Sequence, residues 1–350
     1  MITIFTPSFA DEADTNAQNL SVKEIVARLD PKRAAVTMLH EGAVDPRIAA
    51  RPNTKLVRWQ AHGNTPRIAW QILKNVPDVY FFPREGPLDA AFLSLRRYLR
   101  LKTAVVTYVV SGGLYNQPYF PARVRNIREA EAVFANNTYL AQLLKEKMGV
   151  EAEILQGGID RRHFFPRESE RLPGSVSVLC VGSFRPYKRV PLVVREAARL
   201  PQVQFRIVGA GEEEQLCRRL AIELGCGNLE FLGHLSPPKV GDEMRRADIF
   251  LFPSNIEGHP QVLGQAAACG LPAIAMRVYR PDYVVSGVTG FLVDTDAELS
   301  EKLDVLIRQP NLRRTMGEAA IAHARQFDWD IIAGKWMEAF EQVVARRRKH

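Results

Sequence analysis

Short, almost unbroken runs of Val, Ile, Leu and Phe alternate with helical patterns along the whole chain, and no other feature restricts its folding as much. ITIFTPS, AAVTMLH, TKLVRWQ, DVYFFPR, TAVVTYVV and AVFANN are the strand-like runs of the first half. VSVLCVGS, VQFRIVGAG, LEFLGHL, DIFLFPS, PAIAM and GFLVD are those of the second. Helical segments such as LSVKEIVARLD, VPLVVREAARL and EEEQLCRRLAIELG lie between them. Strands that are apolar at consecutive positions must be covered on both faces, the pattern of parallel sheets in α/β proteins. There are more such strands than one open sheet usually holds, and 350 residues exceed the reach of a single core. Two Rossmann-like α/β domains are therefore expected. The break falls at PRESERLPGS (166–175), which is polar, bears Pro and Gly, and lacks apolar periodicity. This gives a first domain at 1–170 and a second at 171–327. In the last helical segment Trp329, Ile332, Trp336, Phe340 and Val343 recur at spacings of three and four, a stripe that needs a docking partner.

Composition bounds the classes of function. Apolar residues at 46% and charged residues at 25% are ordinary for a globular protein. No apolar run reaches the roughly 18 residues of a membrane span, and the N-terminus shows no basic n-region before an apolar core. The four cysteines lack CxxC spacing, and Cys180 and Cys269 sit in apolar contexts, as reduced thiols of a cytoplasmic protein do. The net charge of +8 falls mostly in the first half, which suits phosphorylated small molecules or an anionic membrane surface. Arg96, Arg97, Arg100 and Lys102 form its densest cluster. Without zinc-finger spacing or RNP-like aromatics, no nucleic-acid partner is expected.

Ligands of open α/β sheets bind beyond the carboxyl ends of the strands, so those positions are the candidates. DIFLFPS is followed by a helix expected at about 260–269, with Pro260 in its first turn and Gly270 past its end. Its N-terminus offers free N–H groups and the positive dipole end to an anion such as a diphosphate. Glu257 precedes it, and Gln265 lies where a side chain still reaches back. VSVLCVGS is followed by Arg185, Lys188 and Arg189, cations that can stabilise a leaving phosphate. VGAGEEE lacks the third glycine of a dinucleotide fingerprint, and its glutamates repel a pyrophosphate, so neither NAD nor FAD is expected. Asp294-Thr295-Asp296 spells a metal-binding DxD, yet Asp296 reads better as a helix N-cap. His234 has no partner at metal-ligand spacing, and Ser8 and Ser111 have no GxSxG context.

The second half resembles glycosyltransferase family 4, retaining enzymes of the GT-B fold. The resemblance rests on AEILQGGIDRRHFFP, VLCVGSFRPYKRV, FRIVGAGEEEQL, LEFLGHLS, MRRADIFLFPSNIEGHPQVLGQAAACGLPAIA, SGVTGFLV and FDWDIIAGKW. It spans about residues 130–340. It implies two Rossmann-like domains facing across a cleft, with the C-terminal helix 328–350 crossing back to the first. It further implies a nucleotide-diphosphate sugar as substrate, with no metal or other cofactor, and a sugar transferred to a glycan, lipid-linked or small-molecule acceptor. Lys188 matches the family's diphosphate lysine, and Arg185 is the local substitute for an arginine whose place is taken by Ser183. Glu257 matches the first acid of the Glu-x7-Glu motif, near the donor sugar, while Gln265 stands in place of the second, at the ribose. Gly182, Ser183, Gly233, His234 and Leu235 complete the donor site with Gly258, His259, Pro260, Gln261, Val262 and Leu263. On the acceptor side Asn16, Asn19, Ser111 and Gly112 are the candidates. PSFADEADTNAQNL lacks the family's glycine pair, and the first-domain histidine has no match. Those departures leave open a GT-B epimerase or hydrolase, and a non-catalytic nucleotide-sugar binding module.

Overall fold

A computed structural model describes residues 1–12, 17–60, 65–82, 86–110, 120–168 and 175–349. The chain divides into two compact units, Met1–Gly157 with Trp329–His350, and Gly158–Asp328. The first begins with β1 (Ile2–Phe9), α1 (Ala17–Arg28), β2 (Ala34–His40), the single turn α2 (Pro46–Ala49) and β3 (Thr54–Arg58). It continues with α3 (Thr65–Lys74), β4 (Val79–Phe81), α4 (Pro87–Tyr98) and β5 (Ala104–Val109). It then adds α5 (Phe120–Arg128), β6 (Ala132–Ala135), α6 (Thr138–Met148) and β7 (Glu153–Ile154). These strands form one parallel sheet in the order β3-β2-β1-β4-β5-β6-β7.

The second unit runs β8 (Ser177–Val181), α7 (Val190–Arg199), β9 (Gln204–Val208), α8 (Glu214–Glu223) and β10 (Leu229–Gly233). After α9 (Pro237–Arg246) come β11 (Ile249–Phe252), α10 (Gln261–Ala268), β12 (Ala273–Met276) and β13 (Gly290–Val293). Its parallel order is β10-β9-β8-β11-β12-β13, and α11 (Asp296–Arg308) and α12 (Pro310–Ala324) follow.

Both faces of the first sheet are covered, which explains why its strands are apolar at consecutive positions. Ile4, Val36, Val79 and Val106 pack with Val22, Ile25 and Val26 of α1, whereas the alternate residues Phe5, Leu39, Tyr80 and Val105 pack with Ile68 and Ile72 of α3 and Phe92 of α4. The terminal helix, α13 (Trp329–Lys349), belongs to this unit, and its apolar stripe supplies the docking the sequence required. Trp336 is fully buried, with its ring 5.0 Å from Phe81, 4.9 Å from Tyr108 and 5.0 Å from Phe134.

The units divide at 157/158, upstream of the break expected at 170/171. Residues 158–168 side with the second unit because Ile159 and Phe164 lie in its core. Arg167 also donates to the Ala247 carbonyl at 2.8 Å. Within the expected linker, 169–174 lie outside the described residues. Cys180, Cys217 and Cys269 are buried free thiols, and burial pushes them up to about 12, about 11 and about 12.

Candidate functional site

The order of the second sheet reverses between the neighbours β8 and β11, so the loops leaving them diverge and open a crevice at the carboxyl edge. The β8 loop closes into a 3₁₀ turn, Pro186–Lys188, after Arg185. The β11 loop runs to α10. One acceptor stitches the two loops together: the Tyr187 carbonyl takes the Asn255 N–H at 3.0 Å and the Ser254 hydroxyl at 3.2 Å. That tie brings Lys188 Nζ within 2.5 Å of Glu257 Oε1. The two side chains are only 16% and 11% exposed. The same ammonium lies 5.1 Å from the centre of the Phe252 ring and 5.6 Å from that of Tyr187. A cation held by a carboxylate and two ring faces is fixed in place, and its attraction for an anion is little screened by water.

The glycines of VGAGEEE serve the backbone beneath this crevice. A Cβ on Gly209 would fall 1.9 Å from the Gly182 carbonyl oxygen, and one on Gly211 would fall 2.8 Å from the Phe184 nitrogen. Both glycines have positive φ, 140° and 155°. They let the exit of β9 pass directly against the exit of β8. Gly233 is left-handed at φ 66°, and its carbonyl accepts the Gly209 N–H at 2.8 Å. Beyond it His234 is exposed and Leu235 packs against the core.

Helix α10 starts one residue later than expected, with Pro260 as its N-cap, and ends at Ala268 before Cys269 and left-handed Gly270. Gly258 and His259 lead into it, and His259 Nε2 lies 2.5 Å from the Tyr283 hydroxyl. Gln261 and Val262 are half-buried and Leu263 is in the core. Gln265 is half-buried, and its side chain bonds to no described residue. Gly182 and Ser183, also half-buried, border the same loop exit.

The cations divide by task. Arg185 is exposed and forms no ion pair with a described residue. Arg189, in contrast, turns to Asp296 and donates to the Pro253 carbonyl at 3.4 Å, so it ties loop to helix. Asp296 is therefore an ion-pair partner within α11 rather than its N-cap. Thr295 caps α11, accepting the Glu298 N–H at 3.1 Å, because a side chain must sit one residue before the first turn to do so. Asp294 pairs with Arg277 at 3.1 Å.

One residue of the crevice escaped the sequence reading. Tyr279 ends a 3₁₀ turn just after β12 and is 3% exposed, with its ring edge-on to Phe252 at 6.5 Å. Its hydroxyl has no hydrogen-bond partner among the described residues. Burial first, then the charge of Glu257, lift its pKa well above the ordinary phenol value. The Met276 N–H opposes that shift without reaching ordinary hydrogen-bond geometry. The available signal was positional, a tyrosine three residues beyond an apolar strand.

In the first unit, Asn19 is buried in the first turn of α1 and accepts the Phe9 N–H at 3.2 Å. Asn16, Ser111 and Gly112 lie outside the described residues. Arg96 is not a surface charge, because it is buried, paired with Glu131, and donates to the Thr103 carbonyl at 2.8 Å.

The whole chain superposes on solved structures of the GT-B class. It covers 99% of itself and 100% of sucrose-phosphate synthase from Thermosynechococcus elongatus with a TM-score of 0.80 at 20% identity. For Anabaena HepE in complex with UDP and glucose, coverage is 98% and 100%, with a TM-score of 0.75 at 17% identity. The protein is thus a GT-B α/β protein with two Rossmann-like domains. Residues 162–323 match the model of the family Glycosyl transferases group 1. It is 28% identical over 261 residues to D-inositol 3-phosphate glycosyltransferase of Kribbella flavida, covering 65% of this chain and 61% of that one. It is 32% identical over 207 residues to the Mycobacterium leprae protein of that name, covering 56% and 48%. The chain therefore spans between about half and three fifths of these curated relatives.

Proposed function

We propose that the protein is a retaining glycosyltransferase that moves a sugar from a nucleotide-diphosphate sugar to an acceptor hydroxyl. The observation that carries this reading is the part-buried Lys188–Glu257 pair at the switch point, beside the N-terminus of α10. Lys188, Arg185 and the first N–H groups of α10 neutralise charge as it builds on the departing diphosphate. Glu257 accepts from hydroxyls of the donor sugar and fixes its orientation. Gln265 faces the ribose diol, and the backbone at Gly233, His234 and Leu235 receives the base. No side chain is assigned as nucleophile. The anomeric carbon–oxygen bond to the diphosphate breaks as the acceptor oxygen bonds on the same face, and the acceptor proton passes to the leaving phosphate oxygen. The reading uses no metal, since Asp294 and Asp296 are each engaged by an arginine. The names of the relatives and the UDP-bound HepE structure agree with a nucleotide-sugar donor.

Thermal unfolding with UDP, GDP, ADP and their sugar conjugates tests donor binding, because a ligand at a hundred times its Kd adds about 2.7 kcal/mol to the folded state. One nucleotide should raise the melting temperature, and its sugar conjugate should be turned over. Lys188→Gln removes the charge while keeping a donor for Glu257, so kcat should fall roughly a hundredfold or more with the fold retained. A folded Lys188→Gln variant with full activity would remove Lys188 from the chemistry.

A further inference from the structure

The amino edge of the first unit's sheet, opposite the carboxyl edge, gathers two basic segments that are far apart in sequence. Glu131, just before β6, is the hinge of this juxtaposition: it pairs with Arg96 of α4 and lies 3.4 Å from Arg347 of α13. Arg348 reaches Asp78, just before β4, at 2.8 Å. Arg97 pairs with Glu129 at 3.0 Å. The basic end of α13 is therefore fixed beside the loop that joins α4 to β5. Asp78, Glu129 and Glu131 each already have an arginine partner, whereas Arg100, Lys102, Arg346 and Lys349 are exposed and pair with no described residue. Among these cations Tyr98 is 84% exposed and Leu99 is 49% exposed at the end of α4.

We propose that this edge is a docking face for an anionic lipid bilayer. Arg100, Lys102, Arg346 and Lys349 meet lipid phosphates, while Tyr98 and Leu99 enter the headgroup layer. Surplus positive charge alone would also fit a nucleic acid. Leu99, however, has no use for a base or phosphate, and a protruding aromatic and aliphatic pair ringed by cations matches the mixed polarity of a membrane interface. The residues of this face belong to the first unit and those of the crevice to the second, so the proposal stands whether or not that crevice transfers sugars.

Co-sedimentation of the full chain with vesicles tests it, using phosphatidylcholine alone and an equal mixture of phosphatidylcholine with phosphatidylglycerol. The protein should bind the mixed vesicles and not the neutral ones, and binding should weaken as salt rises. Arg100→Ala and Lys102→Ala should each weaken partition by roughly fivefold, the worth of one cation near an anionic surface. Tyr98→Ser with Leu99→Ser should weaken it at every salt concentration. All four positions are exposed, so the variants should melt with the parent, and thermal unfolding checks this. Partition unchanged in Arg100→Ala/Lys102→Ala, or equal binding to both vesicle types, would overturn the proposal. So would binding to single-stranded RNA together with failure on both vesicle types.

Discussion

Lys188 and Glu257 show how one contact can belong to both stability and function. Their charges are largely withdrawn from water, so each pays for its desolvation through the other. Lys188→Ala strands the carboxylate and should destabilise the protein by about 3 kcal/mol. Adding Glu257→Gln removes the stranded charge, so the double variant should recover most of that loss in denaturant unfolding. If the double variant were as unstable as the single one, the pair would not be coupled in the folded state. The types and places of both residues were legible in the sequence, because each follows an apolar strand that points to the crevice. Their mutual contact was not legible. It depends on the Tyr187 carbonyl, a backbone acceptor to which no pattern of residue types points. Tyr279 was missed for a related reason, since its significance lies in a hydroxyl left without a partner, which only coordinates reveal.

At the scale of elements, apolar alternation foretold the strands because two-sided burial leaves no other pattern for them. Boundaries were harder where a polar stretch carries isolated anchors. Asp160 is such a case, in the turn that seats Phe164 in the core of the second unit. Burial works to raise its pKa, but hydrogen bonds from the Arg162 side chain and backbone outweigh this, together with the charges of Arg162 and His163. They hold it at about 2. A carboxylate whose pKa is depressed by folding stabilises the native state above its unfolded value of about 3.9, and that stability fades as pH falls toward the folded value. Asp160→Asn should accordingly lower stability at neutral pH and make the acid limb between about pH 4 and about pH 2 shallower. Urea midpoints measured across that range would show it, and parallel pH profiles for the two proteins would rule the turn out as an acid-sensitive anchor. Sequence placed the linker further on, at 166–175, because that stretch is polar and bears Pro and Gly, which left this turn with the first domain. The apolar Ile159 and Phe164 that bind the segment to the second unit are too widely spaced to register as an element.

For the whole molecule, the decisive feature is that the chain leaves its first unit at Gly157 and returns to it at Trp329. The first sheet cannot be fully covered until the last helix has been made. Phe81, Tyr108 and Phe134 come from three strands, and all three meet the ring of Trp336. Amphipathic spacing in residues 329–343 announced that this helix must dock, though spacing alone does not name the surface that receives it. Trp336→Ala removes the ring shared by all three strands and leaves a cavity that rigid strands cannot collapse to fill, at a cost of about 3–5 kcal/mol. Because the second unit is one continuous segment with its own core, the loss should fall on the first unit alone. Hydrogen exchange on Trp336→Ala should therefore show faster exchange in β4, β5 and β6 while β8, β9 and β11 keep their protection. Equal loss of protection in both sheets would mean that the two units unfold as one, and the return of the chain through α13 would then bind the stability of the whole molecule to a single buried indole.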